Sequence, residues 1–297
     1  MCIHCRYLVR SYLNAANIKS PRFENNLPGY DWGKLFLDRH LDLSQRLAEN
    51  MKIARAKVSL EIITKFFQNL ETTLKDVPPT NIINYDETAF VNDPGKEKVL
   101  VRREMKYPSL MRKHSKVGIS VTMAGTTSGD MLSPYVVYKS ECLWTTWILN
   151  SVHGSRFNRT KSGWFDEETF TDWFNKLLLP YLKKLDEKKV MIGDNLASHI
   201  TFSITKKCEQ NNIRFVLLPP NSTHLLQPLD VAVFHLLKEA WRYVLQEFRH
   251  ENKKAQFKES FPTLLKDTLT SVGARCQANM IVGFKATGIY PYSLQSR

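Results

Sequence analysis

The sequence predicts an α/β domain built on a mixed sheet, preceded by a small all-α region. Two observations carry this expectation. The first is a change of composition at Pro78-Pro79, before which the apolar residues recur at helical spacing. The second is the order of elements beyond it: three adjacent strands, then strands alternating with helices.

The N-terminal region reads as helices in series. Residues 4–15 carry Tyr7, Leu8, Tyr12 and Leu13 at helical spacing, and Pro21 and Pro28-Gly29 interrupt. Asp31 is placed to cap a second helix burying Trp32, Leu35 and Phe36, and Ser44 to cap a third. Residues 52–75 repeat Ile53, Ala56, Leu60, Ile63, Phe67, Leu70 and Leu74 at three- to four-residue steps, an amphipathic helix. Short helices with a basic surplus suit a helix-turn-helix DNA-binding module, and equally a small bundle.

Beyond Pro79, residues 81–85 form a short strand ending at Asp86, and residues 99–101 and 117–124 read as further strands. The turn Thr127-Ser128-Gly129-Asp130 leads back into a strand over 132–138. Residues 166–185 form an amphipathic helix, 190–193 a strand ending at Asp194, 199–211 a helix and 213–218 a strand. A long helix then runs from Val231 to about Arg249, with Asp230 at its start. No internal repeat and no low-complexity segment breaks the pattern.

With 297 residues, 43% hydrophobic and 24% charged, the chain has globular composition. It has no run of about 18 apolar residues, so no transmembrane helix is expected. Residues 1–10 lack the apolar core of a signal peptide, and the protein is expected inside the cell. Five scattered cysteines suit a reducing compartment rather than a disulfide framework. Cys2 and Cys5 form a CxxC, but no second ligand pair follows, so the spacing is read as chance rather than zinc binding.

Charge is more informative. The formal net charge is +13 and the pI about 9.5, which favours a polyanionic partner, most simply nucleic acid. A basic protein with no such partner would look the same on charge alone. The distribution is uneven: residues 1–75 carry +5, residues 76–95 carry −4, and residues 96–116 carry +6. An acidic island beside a basic stretch suggests a metal pocket next to a phosphate-binding surface, or a solvated loop. Lys96, Lys98, Arg102, Arg103, Lys106, Arg112, Lys113 and Lys116 are the candidate DNA contacts.

Three aspartates are the candidate chemistry. Asp86 and Asp194 each follow an apolar strand, where α/β sheets place their ligands, and Asp230 follows the loop 219–228. The intervals are 108 and 36 residues. Phosphodiester cleavage must stabilise charge on both the attacking and the leaving oxygen, and two divalent ions about 3.5–4 Å apart can do so. Mg²⁺ takes oxygen ligands, so converging carboxylates suit it. Each aspartate alone reads equally as an N-cap or a turn residue.

Three sequence blocks extend this reading: Asn84-Tyr85-Asp86-Glu87-Thr88, Gly193-Asp194-Asn195-Leu196-Ala197-Ser198-His199, and residues 218–230, Leu-Pro-Pro-Asn-Ser-Thr-His-Leu-Leu-Gln-Pro-Leu-Asp. They resemble the DDE-type transposase domain, specifically the pogo/Tigger/jerky branch of the Tc1/mariner superfamily. Gly288-Ile289-Tyr290-Pro291 resembles the segment closing that catalytic region. The resemblance spans about residues 78–291. It implies a ribonuclease H-like fold, with Asp86, Asp194 and Asp230 as catalytic residues binding Mg²⁺ (or Mn²⁺). Pro28-Gly29-Tyr30-Asp31-Trp32 and Phe36-Leu37-Asp38-Arg39-His40 resemble a centromere-protein-B-type helix-turn-helix, within which Met1 begins, so the family's preceding module is expected to be absent.

The resulting domain expectation is a partial helix-turn-helix at 1–58, a linker helix at 59–77, a DDE endonuclease domain at 78–250 and a C-terminal helical extension at 251–297. The expected function is metal-dependent DNA cleavage and strand transfer in the nucleus, with DNA as partner, no membrane, and a homo-oligomer on DNA. The alternative is a catalytically silent, host-adopted nuclear DNA-binding protein. His199 and His224 flank the second and third aspartates, either as DNA contacts or as loop hydrogen bonders. Trp144, Trp147, Trp164, Trp173 and Trp241 are expected in or at the edge of the core.

Overall fold

The computed structural model describes residues 3–40, 42, 59–93, 118–194, 201–252 and 256–292. The chain divides into two compact units, Met1–Ile53 and Ala54–Arg297.

In the first unit, α1 (Ile3–Ala15) is followed by α2 (Tyr30–Arg39). Gly29 occupies the N-cap of α2, and Asp31 sits in its first turn instead of capping it. Trp32 stacks on Phe36 with ring centroids 5.1 Å apart and meets the edge of Phe23 at 5.8 Å. Leu35, expected beside them, is 58% exposed. The Arg6 Nε donates to the Pro28 carbonyl oxygen at 2.6 Å, and its guanidinium lies over the Tyr30 ring, which ties the start of α2 to α1. Ser44 and the start of the 52–75 helix lie outside the described residues.

The second unit opens with α3 (Leu60–Leu74), capped by the Ser59 hydroxyl accepting from the Ile62 N–H. Its Phe66, Phe67 and Leu70 are buried. A six-stranded mixed sheet follows: β1 (Ile82–Val91), β2 (Gly118–Thr126), β3 (Tyr135–Lys139), β4 (Arg156–Thr160), β5 (Lys189–Gly193) and β6 (Ile213–Leu217), in the order β4-β3-β2-β1-β5-β6. β2 pairs antiparallel with both β1 and β3, while β3–β4, β1–β5 and β5–β6 are parallel. The turn at 127–130 joins β2 to the return segment as its residues require, with Gly129 at φ +96°. The strand expected at 99–101 lies outside the described residues.

β4 was not expected. Its sequence Arg-Phe-Asn-Arg-Thr has no apolar alternation because it is an edge strand, paired on one side only and largely solvated. The helix expected over 166–185 is a capped α4 (Glu167–Trp173), a π segment (Phe174–Leu178) and a short α5 (Leu179–Leu182). After β5 come α6 (Phe202–Gln210), β6, α7 (Thr223–Leu226), a second π segment (Leu229–Val233), α8 (Phe234–Glu251), α9 (Phe257–Val272) and α10 (Ala274–Ala286).

The sheet separates two cores. On one face Ile82, Phe90, Val190 and Ile192 pack with Leu229, Val233, Trp241, Phe261, Met280 and Phe284, so α3, α8, α9 and α10 share this core. On the other face Ile83, Tyr85, Met191 and Cys208 pack with Phe170, Trp173 and Phe174. Strand alternation assigns the faces: even-numbered residues of β1 and β5 turn to the first core, odd-numbered to the second. Trp173 and Trp241 are core residues as expected, but Trp144 and Trp164 are 61% and 62% exposed. Both lie in the loops flanking β4, the edge strand of the sheet.

Burial also sets thiol chemistry. Burial pushes the Cys208 thiol up to about 12 and the Cys276 thiol up to about 11, whereas Cys142 is exposed. Ellman titration at neutral pH is therefore expected to label Cys142 rapidly and Cys208 and Cys276 only on unfolding. Rapid labelling of Cys208 in the folded chain would contradict this packing.

Candidate active site

The site is built where β1 and β5 stop pairing. Their parallel register is Ile82↔Val190, Ile83↔Met191 and Asn84↔Ile192. The offset of this register equals the 108-residue interval between Asp86 and Asp194: Asp86 lies within β1, two residues past the last pair, and Asp194 follows β5 directly. Asp86 is even-numbered and belongs to the first core's face of the sheet. Asp86 is not at a strand end: β1 runs on to Val91, held there by β2, with Asp86 opposite Met123. Only its pairing with β5 ends at Asn84. α8 secures the far end of β1: the Trp241 Nε1 donates to the Val91 carbonyl oxygen at 2.9 Å, and Arg249 donates to the carbonyl oxygen of Asn92.

Asp230 arrives from the other direction, as the second residue of the π segment. Pro228, not Asp230, occupies the N-cap position there. Leu226, Leu229 and Val233 bury this turn against the sheet and leave Asp230 exposed above it.

Two buried amides, Asn84 and Gln227, lock these pieces together. The Asn84 Nδ2 donates to the Ile192 carbonyl oxygen at 2.9 Å and to the Gln227 Oε1 at 2.5 Å. The Asn84 Oδ1 accepts from the Leu229 N–H at 3.1 Å, and the Gln227 Nε2 donates to the Tyr85 carbonyl oxygen at 3.0 Å. Both residues lie inside the recognised sequence blocks, but no role was expected of them. The available signal was an amide two residues from Ile82 on the face of β1 that also carries Asp86, Thr88 and Phe90.

The electrostatics centre on Asp86. Burial raises its carboxyl well above the ordinary carboxylate range, and the negative charges of Asp230 and Asp194 raise it further. Hydrogen bonds from the Glu87 backbone and the Gln227 side chain oppose this. Burial also raises Glu87, on the opposite face, with Asp194 adding to the shift, and one buried oxygen of Glu87 has no hydrogen-bond partner. Tyr85 is raised by burial and then by Asp194 and Asp86. Asp86 thus shares one electrostatic field with Asp194 and Asp230. Among the described residues, however, no three His, Cys, Asp or Glu side chains close around a single point as one ion's ligands.

The candidate DNA contacts from Lys96 to Lys116 lie outside the described residues, as does His199. His224 is in α7 with a buried Nδ1 that has no hydrogen-bond partner. A shallow groove of about 630 Å³ lies at the β4 edge, away from the aspartates, with Arg159 and Lys161 facing Glu141, Asp166 and Glu168.

Comparison with known proteins bears on this arrangement. The family model of the DDE superfamily endonucleases matches residues 116–274, more than half of the chain. The chain belongs to the DDE superfamily endonucleases. Asp194 and Asp230 lie within the matched segment, and Asp86 precedes it.

Among solved structures, the Mos1 strand transfer complex is similar with a TM-score of 0.50 at 13% identity, over 93% of this chain and 77% of that one. The Mos1 mariner paired-end complex with Mn is similar with a TM-score of 0.50 at 12% identity, over 95% and 78%. This is a likeness of fold: the mixed sheet with flanking helices is that of ribonuclease H-like DDE transposase catalytic domains. A protein of Cochliobolus lunatus named MFS-type transporter clz9 is 23% identical over 220 residues, 71% of this chain. The chain spans 23% of that protein's length. No described helix here is long and apolar enough to cross a membrane.

Proposed function

We propose that this member of the DDE superfamily endonucleases cleaves DNA phosphodiesters and transfers strands, with Asp86, Asp194 and Asp230 as its catalytic, cation-holding residues. One observation carries the reading: β1, which holds Asp86, and β5, which ends one residue before Asp194, lie side by side, and Asp86 feels the charge of both other aspartates. The all-oxygen donor set fits hard divalent ions, Mg²⁺ or Mn²⁺. Bound there, such ions would supply charge for the attacking and leaving oxygens and lower the pKa of a bound water. Asp86, which feels the charge of both Asp194 and Asp230, would hold a cation together with them.

The partner in this reading is DNA, engaged through the net charge of +13, with the basic stretch 96–116 as its phosphate-contacting segment. A helix-turn-helix of the centromere-protein-B type in the N-terminal region, membership of the pogo/Tigger/jerky branch, a homo-oligomeric state on DNA and a nuclear location belong to the same proposal.

The deciding experiment follows duplex DNA with the full chain in Mg²⁺ or Mn²⁺. Nicking that disappears with chelator and in Asp194→Ala is expected. Equal nicking by Asp194→Ala would remove the assignment. A second reading, a DNA-binding protein without turnover, draws on the exposed position of Asp230. It requires salt-dependent DNA binding with no cleavage in either ion.

A further inference from the structure

The geometry points to Asn84 and Gln227 as a positioning clamp that sets the spacing of the three aspartates, an inference that rests on the proposed cation-holding role of those aspartates. Both side chains are fully buried. Their backbone partners are not scattered. The Tyr85 carbonyl adjoins Asp86, the Ile192 carbonyl lies two residues before Asp194, and the Leu229 N–H adjoins Asp230. One hydrogen bond between the two side chains closes the set. Three segments far apart in sequence are thereby cross-linked, each beside its carboxylate.

Local structure explains why amides occupy these positions. Pairing of β1 with β5 ends at Asn84↔Ile192, and Asn84 there takes up the Ile192 carbonyl. The π segment begins at Leu229, whose N–H lies at a helix start and needs an outside acceptor. An amide carries donors and an acceptor together and so answers both needs without charge. A lysine or arginine would instead neutralise the carboxylates, and an aliphatic side chain would orphan the buried backbone groups, each at about 1–3 kcal/mol. The clamp holds mutually repelling carboxylates near one another before any cation arrives, as groups supporting metal ligands do.

Asn81 provides the control. It is also buried on the β1 side, and its Nδ2 donates to the Asp186 and Lys188 carbonyl oxygens, at the end of the sheet remote from the aspartates.

The test uses the full chain as wild type, Asn84→Ala, Gln227→Met and Asn81→Ala, with Gln227→Glu in place of Gln227→Met if the latter fails to fold. Mn²⁺ binding is measured by calorimetry and backbone protection by hydrogen exchange without metal. Asn84→Ala and Gln227→Met are expected to weaken Mn²⁺ binding by about 10- to 100-fold. They should also lose protection around residues 227–231, with duplex DNA affinity in chelator unchanged. Asn81→Ala should lose protection near 186–189 and bind Mn²⁺ within about two-fold of wild type, well short of that range. Unchanged protection around 227–231, or Mn²⁺ binding by the clamp variants equal to wild type, overturns the clamp. An Asn81→Ala loss of Mn²⁺ binding as large as theirs overturns it too, by reducing it to general stability. A wild-type chain that binds no Mn²⁺ while protection follows the variants as stated overturns the metal reading and leaves the clamp standing.

Discussion

Asp86→Asn is expected to abolish metal-dependent nicking while making the metal-free chain more stable. The amide keeps the shape of the carboxyl but removes the charge that would hold a cation. A loss of about 10³-fold in rate, equivalent to about 4 kcal/mol of transition-state stabilisation, is the expected scale. The stability gain follows from the raised carboxyl. Burial, then Asp230 and Asp194, place the folded-state value above the unfolded one, so the folded chain binds more protons in the window between them. Metal-free stability should therefore fall as pH rises through that window, from the ordinary carboxylate range upward. Asp86→Asn removes this slope, and added Mn²⁺ should reverse it in the wild type only. Each kcal/mol regained is worth about 2–4 °C of Tm in a domain of 150–250 residues. Thermal melts of both chains across pH, with and without Mn²⁺, read all three effects. A variant that melts below wild type at neutral pH without metal would contradict the repulsion argued for Asp86.

The second large effect is expected at Gly193. It closes β5 immediately before Asp194, and what it supplies is space rather than an unusual backbone angle. A Cβ there would stand 2.5 Å from the Tyr85 Cε1, 2.6 Å from its hydroxyl oxygen and closer still to Cζ. The Tyr85 ring cannot simply swing aside, because Trp173, Phe170 and Phe215 surround it at centroid distances of 5.2, 6.0 and 6.5 Å. Gly193→Ala should cost about 3 kcal/mol, the upper range for overpacking a close-packed core. Displacing Tyr85 also moves its neighbour Asp86, and a shift of about 1 Å in a catalytic group can cost about 10²-fold in rate. Tyr85→Leu removes the obstructing atoms. In that background Gly193→Ala should cost at least about 1 kcal/mol less, a coupling that a double-mutant cycle in denaturant measures directly. Strict additivity of the two substitutions would contradict the contact.

The elements that the sequence made legible are those whose burial is two-sided or whose caps are local. β5 reads as Val-Met-Ile-Gly because both its faces are covered, and α4 announces itself through Asp166, whose side chain accepts from the Thr169 N–H. β4 was not legible, because an edge strand with one neighbour carries no apolar signature. Trp144 and Trp164 were misplaced for a related reason: both lie in loops beside that edge strand, and hydrophobicity by itself does not fix burial. The site was legible as three aspartates in recognisable blocks. The clamp was not, since a buried amide is marked in the sequence only as a polar residue, and its partners lie 108 to 145 positions away.

By itself the sequence determined the α/β class, the mixed strand-and-helix order and the basic balance, and it singled out three carboxylates as candidates, because periodicity, composition and motif are properties of neighbouring residues. Only the tertiary structure decided that β1 and β5 pair with an offset of 108 residues, that Asp86 sits within a strand rather than at its end, and that Gly193 must yield room to Tyr85. These depend on which strands lie side by side and how they slide, and that choice is made by packing two cores against one sheet rather than by any local stretch of chain.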